Sequence, residues 1–474
     1  MPCTTILVGK NASYDGSTLM ARNEDSGAGN FDPKKVEVII PDKQPRYYKS
    51  VISGVEIELP DNPMRYTSVP NALNHEGIWG EAGFNEENIA MTETETITSN
   101  SRVLGADPLV KTGIGEEDML TLVLPYIHSA REGVLRLGNL LETYGTYEMN
   151  GIGFQDINEI WWLESIGGHH WIAKRVPDDA YVVMPNQQGI DWFDFEDAYG
   201  KQEHHMCCQD MLNFIEKNHL DLAMKKNLKN FDIRAALGSH TDMDHAYNTP
   251  RAWYMVKCLN PKIDTYQPDS DDIPWSFVPE HKITIEDIKY VLSSYYQGTE
   301  YNPYIKYGDT SLAGKYRPIG INRNNFLAIL QCRPYVKKEI QAVEWISMGC
   351  NAFNALVPFY ANVNTSPEYV SNTNENVDTN NFYWINRMIG TLCDAHYNAC
   401  HGIIDRYALK MHGLGHNFIS ESDEQVPENE VSSYLEACNE KMAQIAKEET
   451  QQLLNTILFV SSNEMKNAYS MSDA

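Results

Sequence analysis

The chain opens on an alternation of apolar runs and turn residues. Thr4 to Val8 is β-branched and apolar, Asn11 to Gly16 carries Asn, Ser, Asp and Gly, and Thr18 to Arg22 resumes the apolar run. That order predicts a strand, a turn and a second strand, with Cys3 beginning the first strand and Arg22 closing the second. Ile78 to Thr96 is again strand-like, with Asn85 on the turn Gly83-Phe84-Asn85 and β-propensity returning at Ile89-Ala90-Met91. Between about Glu116 and Tyr144 the period changes. Leu120, Val123, Ile127, Ala130, Val134, Leu137 and Leu141 recur at helical intervals. Pro125 and Gly133 interrupt that pattern, so two shorter helices are expected as readily as one kinked helix.

A dense β region follows. Gly151 to Phe154, Ile160 to Glu164, Trp171 to Val176 and Tyr181 to Met184 are separated by Gly167-Gly168 and Pro177-Asp178-Asp179. Both separators are turn chemistry, and the economical reading is two or three hairpins of one antiparallel sheet. The second half is more helical. Thr284 to Tyr296, Asn381 to Met411 and Asn429 to Ile457 carry amphipathic patterns, and Thr284 with Asp287 three residues on marks a helix start. Ile321 to Leu330 and Trp345 to Tyr360 read as strands or mixed segments, and the Asn-, Thr- and Ser-rich stretch Asn362 to Asn380 as a loop. No repeat, low-complexity linker or Gly-rich nucleotide loop divides the chain. Helices interleaved with antiparallel hairpins predict an α+β architecture in one elaborated domain.

Charge narrows the function classes. With 38 Lys+Arg against 65 Asp+Glu, the 474 residues carry a formal net charge of −27. A body this acidic disfavours phosphate backbones and anionic lipid, so no nucleic-acid or membrane partner is expected. The first residues lack a basic segment followed by an apolar stretch and a cleavage site, and no window reaches the ~18 apolar residues of a membrane span. Nine cysteines without such a signal read as reduced thiols, which makes the cytoplasm the expected compartment.

One of those cysteines is chemically distinctive. Cys3 lies two residues from the initiator methionine, and removal of Met1 and Pro2 would make it the chain terminus. An α-amine titrates near ~7.7–8.0 and a thiol near ~8.5, so a terminal cysteine carries nucleophile and general base on one residue. Position alone favours a small apolar residue opening a buried strand. The segment Arg22-Asn23-Glu24-Asp25 changes that balance, because it ends the second strand beside the start of the first. A cation there stabilises a thiolate, and Asp25 could hold the α-ammonium or the guanidinium.

Here the sequence resembles a known family. CTTILVGKNASYDGSTLMARNED is similar to the opening of the dipeptidase A family of cysteine peptidases, whose relatives include secernins and, more distantly, bile-salt hydrolases and penicillin V acylases. The likeness continues in order through AGFNEENIAMTETET (Ala82 to Thr96), HHWIAKRVPDDAYVVMPNQ (His169 to Gln187) and YNTPRAW (Tyr247 to Trp253). It extends to YYQGTEYNPY (Tyr295 to Tyr304), CRPY around Arg333, and VPFYANV (Val357 to Val363). The resemblance implies an N-terminal-nucleophile hydrolase fold, an αββα sandwich of two antiparallel sheets between helices. It implies one such domain over residues 1–474, with a catalytic core at 3–360 and a mainly helical extension at 381–474.

The resemblance also implies site residues. Cys3 matches the nucleophile, and Arg22 and Asp25 match an Arg and an Asp three residues apart at the end of the second strand. Asn85 matches a turn asparagine whose side-chain or backbone N–H would face the oxyanion. Asn186 matches an asparagine suited to positioning the α-amine and the oxyanion, and Arg251 a further active-site arginine. The implied activity is hydrolysis of dipeptides through a thioester, with no cofactor and no metal. Two alternatives keep the same fold: an amidase acting on a non-peptide amide, and a non-catalytic secernin-like regulator. The expected partners are small peptides, and a homo-oligomer stays open, since the C-terminal helices could form a lid, a dimer surface or neither.

Other clusters read as structure. His240, Asp242, Asp244 and His245 in SHTDMDH form a polar loop without zinc spacing. Cys393, His396 and Cys400 share a helix face and lack a partner C-x-x-C pair. No G-x-S-x-G elbow occurs.

Overall fold

The computed structural model describes residues 3–27, 31–94 and 97–466. Cys3–Val8 (β1) and Thr18–Asp25 (β2) form the hairpin expected from the first apolar runs. The second strand runs three residues beyond Arg22, however, through Asn23, Glu24 and Asp25. Its far edge pairs with a later strand as far as Asn324 opposite Asp25, and that pairing carries a polar stretch in extended form. Ala82–Phe84 (β3) and Ala90–Thr94 (β4) flank the Asn85 turn. Then come Glu116–Val123 (α1) and Ala130–Tyr144 (α2), separated by a single 3-10 turn at Leu124–Tyr126. Pro125 breaks the helix as expected. Gly133 does not, because it lies inside α2, where a Cβ would come within 2.3 Å of the Phe154 ring.

Gly151–Gln155 (β5), Ile160–Ile166 (β6), His170–Arg175 (β7) and Tyr181–Met184 (β8) follow the predicted order. They do not form one sheet. The turn at Pro177-Asp178-Asp179 carries the chain out of the β5–β6–β7 meander, and β8 pairs antiparallel with β1, Val8 opposite Tyr181 and Thr5 opposite Met184. The other strands of the two large sheets are His205–Cys207 (β9), Ser276–Phe277 (β10), Asn324–Cys332 (β11), Ala342–Met348 (β12) and Val357–Tyr360 (β13). They complete a seven-stranded sheet ordered β10-β8-β1-β2-β11-β12-β13 and a six-stranded sheet ordered β9-β7-β6-β5-β4-β3.

The two sheets face each other through β1, β2 and β11 on one side and β3, β4 and β5 on the other. Their approach is close: a Cβ on Gly153 of β5 would meet Met20 Sδ at 2.4 Å. Helix α2 covers the outside of the six-stranded sheet. Thr249–Leu259 (α3), Ile285–Leu292 (α4), Phe382–Ala395 (α5), Tyr397–Glu424 (α6) and Val431–Asn463 (α7) cover the other. Because both faces of each sheet are covered, β1, β2, β6, β11 and β12 are buried along their whole length. Runs such as IWWLESI therefore show no alternation. This is a four-layer αββα sandwich, the fold the resemblance implied. The segment expected as one helix over Asn381 to Met411 is two, broken at His396. The loop Asn362 to Asn380 contains a single helical turn at Glu368–Ser371. No described helix is long and apolar enough to cross a membrane.

Candidate active site

Register decides what surrounds Cys3. In the β1–β2 hairpin Cys3 lies opposite Glu24 and Thr5 opposite Arg22. Because strand side chains alternate faces, Cys3, Arg22 and Glu24 share one face, while Asn23 and Asp25 take the other. Arg22 Nη2 donates to Cys3 Sγ at 2.9 Å. Its two terminal nitrogens are also paired, Nη1 with the Glu81 carboxylate just ahead of β3 and Nη2 with Glu116 at the first turn of α1. Lys34 extends the network, with Nζ 2.5 Å from Glu24 and 3.5 Å from Glu81.

All five of these charged side chains are withdrawn from solvent. Two cations and three carboxylates leave an excess negative charge in a dry environment, and such a cluster binds a proton. Burial pushes the Glu116 carboxyl up to about 8 against the pull of Arg22, with Glu81 adding to the rise. Burial likewise raises Glu24 to about 7, against Lys34. The Cys3 thiol is pushed up to about 12 by burial, with Arg22 opposing and Glu116 reinforcing. Arg22 is thus the cation that acts against desolvation at the sulfur.

The backbone of Cys3 is held from the other side. Its nitrogen donates to Asn186 Oδ1 at 3.0 Å, and the same oxygen accepts from Arg251 Nη2 at 2.9 Å. Arg251, on the first turn of α3, also donates through Nη1 to the Cys3 carbonyl and to Thr4 Oγ1 (2.8 Å). Its remaining donors meet Asn248 Oδ1 at 2.7 Å and the Tyr247 carbonyl at 2.8 Å. Cys3, Arg22, Asn186 and Arg251 therefore converge.

Two expected residues do not join them in the expected way. Asn85 faces away from an oxyanion role: its Nδ2 donates to the carbonyls of Leu124 (3.0 Å) and Ile127 (2.8 Å). Its Oδ1 accepts from the N–H of Glu87 and Ile89, and its own N–H meets the Ile89 carbonyl. Asn85 pins the β3–β4 turn to the break between α1 and α2, with every donor engaged. Asp25, on the opposite strand face from Arg22, grips Arg317 and Asn324 instead of Arg22. Met1 and Pro2, whose removal the nucleophile expectation requires, lie outside the described residues.

Sequence reading missed Glu24, Glu81, Glu116 and Lys34 as partners of the site. Each reaches it through tertiary packing, and nothing local marks Glu81 as buried. It also passed over His169 and His170, which both bind Asp107 through Nδ1, at 2.8 and 2.6 Å. His170 with Cys208 and Asp210 is the described group whose spacing could admit a metal ion. Burial works against the charged ring there, but Asp107 and Asp210 outweigh it and raise the His170 pKa, with Nδ1 2.6 Å from Asp107 and Nε2 3.5 Å from Asp210. In SHTDMDH, Asp244 caps its own short helix with Thr241, and His245 pairs with Asp271.

The sequence matches the family described as Peptidase family C69 over residues 2–410. It is 52% identical to a dipeptidase of Bifidobacterium longum (strain NCC 2705) and 55% identical to a probable dipeptidase A of Streptococcus pyogenes serotype M3, each alignment covering 100% of both chains. Dipeptidase A of Lactobacillus helveticus is 43% identical over 96% of each. Among solved structures, penicillin V acylase from Agrobacterium tumefaciens aligns with 76% of this chain and 86% of its own, at 12% identity and a TM-score of 0.32. Full-length identity at this level, together with the family match, makes the chain a member of peptidase family C69.

Proposed function

We propose that this protein is a cysteine-type dipeptidase in which Cys3, once it is the chain terminus, is the nucleophile. The observation that carries this reading is the 2.9 Å approach of Arg22 Nη2 to Cys3 Sγ, with the Cys3 nitrogen fixed on Asn186. The α-amine takes the thiol proton, and the sulfur attacks the scissile carbonyl. The tetrahedral oxyanion collapses to a thioester as the proton passes to the departing amino group. Water, deprotonated by the same amine, then hydrolyses the thioester and frees the thiol.

Each neighbour has a defined task. Arg22 counters the desolvation that opposes a thiolate, and Glu81 and Glu116 fix its orientation. Asn186 aims the amine, and Arg251 holds the Cys3 carbonyl and Asn186 together. Residues 3–360 supply these groups, and helices α5, α6 and α7 buttress the seven-stranded sheet. No disulfide links the cysteines among the described residues, which fits a reducing cytoplasm.

The test joins mass spectrometry of the purified protein to a dipeptide assay. The expected result is a chain beginning at Cys3 that cleaves dipeptides, and loss of turnover in Cys3→Ala. Turnover by a chain that retains Met1 or Pro2, or full activity in Cys3→Ala, would overturn the mechanism.

A further inference from the structure

Tyr247, at the end of the short helix Asp242–Tyr247, is surrounded by three arginines. The guanidinium carbons of Arg251 and Arg317 lie 5.1 and 5.2 Å from its ring centre, and Arg323 Nη2 is 3.5 Å from its hydroxyl. Counter-charge is scarce. Arg317 pairs with Asp25, whereas Arg251 meets only neutral groups and Arg323 meets the Ser26 carbonyl (3.3 Å) and the Tyr247 hydroxyl. Among the described residues no carboxylate lies within salt-bridge distance of Arg251 or Arg323. Three guanidinium groups therefore share one acid in a chain of net charge −27.

The arginines are not equivalent. Arg251 is fully buried with all its donors engaged. Arg317 is buried too, and its Nε has no hydrogen-bond partner among the described residues. Burial, then the proximity of Arg323, lowers the Arg317 pKa to about 9. Arg323 and Tyr247 are both part-exposed, and their side chains make only long bonds. A ligand arriving from solvent meets these two first.

Their place relative to Cys3 identifies the ligand. Arg323 is tied to Ser26 twice, through Nη1 and through the backbone bond from Ser26 N to the Arg323 carbonyl (2.9 Å). Ser26 stands two residues beyond Glu24, the register partner of Cys3. Arg323 therefore lies beyond the Cys3 end of the hairpin, across β2 from the nucleophile. In a dipeptide the carboxylate carbon follows the scissile carbonyl by one residue, ~3.8 Å, and that carbonyl sits ~3 Å from the sulfur at attack. Arg251, which bonds the Cys3 carbonyl and lies over the Tyr247 ring, links the nucleophile to this cluster.

We propose that Arg323 and Tyr247 bind the free α-carboxylate of the leaving amino acid, with Arg317 behind them, and so restrict cleavage to the last peptide bond of very short peptides. This rests on the dipeptidase reading above and adds to it the means of measuring substrate length. Guanidinium and phenol hydroxyl together present the donor set a carboxylate takes in a bidentate or forked manner.

The experiment compares one dipeptide with its C-terminal amide, using protein whose terminus is Cys3. Wild type is expected to favour the free acid by roughly 10- to 100-fold in kcat/KM, carried by KM. Arg323→Gln should lose that preference, through a much larger rise in KM for the acid than for the amide. Arg323→Lys, which keeps the charge and not the fork, should fall between. Equal turnover of acid and amide by wild type overturns this assignment while leaving the dipeptidase reading intact. So does a parallel loss on both substrates in a folded Arg323→Gln. Absence of any dipeptide turnover by wild type overturns both. Should Arg323→Gln not fold, the wild-type comparison and Arg323→Lys decide the question.

Discussion

The sulfur of Cys3 and Nη2 of Arg22 lie 2.9 Å apart, on strands whose register puts Arg22 two pairs inward from the cysteine, on the same face. The contact is rigid because Glu81 and Glu116 hold the guanidinium from behind. Burial raises the Cys3 thiol and Arg22 lowers it, so removing the cation must raise it further. Arg22→Lys keeps a charge but cannot serve the sulfur and both carboxylates at once. It should lower kcat/KM by about 100-fold, the scale of a lost transition-state contact. The rate of thiol alkylation against pH checks the cause: its midpoint should move to higher pH in Arg22→Lys and further in Arg22→Gln.

Glu116 links the site to stability. Its carboxyl is raised to about 8 in the folded protein, above an ordinary ~4.3 in the unfolded chain. The folded state therefore holds the extra proton between those values. This contribution to stability is complete below about 4.5 and is lost as pH rises through about 8. Glu24, raised to about 7, acts in the same direction. Lys289 acts oppositely at higher pH, since burial lowers it to about 7. A difference between two proteins isolates the Glu116 term. Glu116→Gln leaves two cations facing two carboxylates, so its melting temperature relative to wild type should climb from pH 5 to pH 8 and then level. A flat difference would show that Glu116 is not the group holding the proton.

Asn186 joins the Cys3 nitrogen to Arg251 through one oxygen. Asn186→Ala leaves an N–H on each partner unsatisfied, a penalty of about 1–3 kcal/mol for each that stays buried. In the proposed mechanism this contact aims the amine, so kcat should fall by roughly 100-fold with KM little changed. Asn186→Asp retains the acceptor beside Arg251 and should recover part of the stability. Steady-state kinetics and thermal melts on the same preparations separate the two effects.

What the sequence made legible follows the reach of each signal. The β1–β2 hairpin, the break at Pro125 and the helix start at Thr284 depend on neighbours within a few residues, and all three are found. The placement of β8 with β1 depends on a partner about 175 residues away, and no pattern inside Tyr181–Met184 distinguishes one sheet from the other. The same limit explains Asn85. A turn asparagine looks identical whether its amide faces a substrate or, as here, the carbonyls of Leu124 and Ile127. The convergence of Cys3, Arg22, Asn186 and Arg251 came from the resemblance, since the last two lie more than 180 residues from the first. The acids and the lysine behind Arg22 carry no local mark at all.

Glu81 combines chemistry and backbone in one residue. Its φ is 63°, in the left-handed region that a residue with a Cβ adopts at a penalty of ~1–2 kcal/mol. In that conformation its carboxylate reaches Arg22 and Lys34, while its carbonyl accepts from Thr92 Oγ1 at 3.0 Å. Local geometry is being held against its own preference where the site needs the carboxylate. The two contributions can be separated. Glu81→Ala and Glu81→Gly remove the same carboxylate, so both should lose activity to a similar degree, about 100-fold through the misplaced Arg22. Only Glu81→Gly relieves the backbone, so it should be the more stable of the two by about 1 kcal/mol in denaturant titrations. Equal stability would mean that the left-handed turn is not strained. Unequal activity would mean that the turn itself, and not the carboxylate alone, positions Arg22.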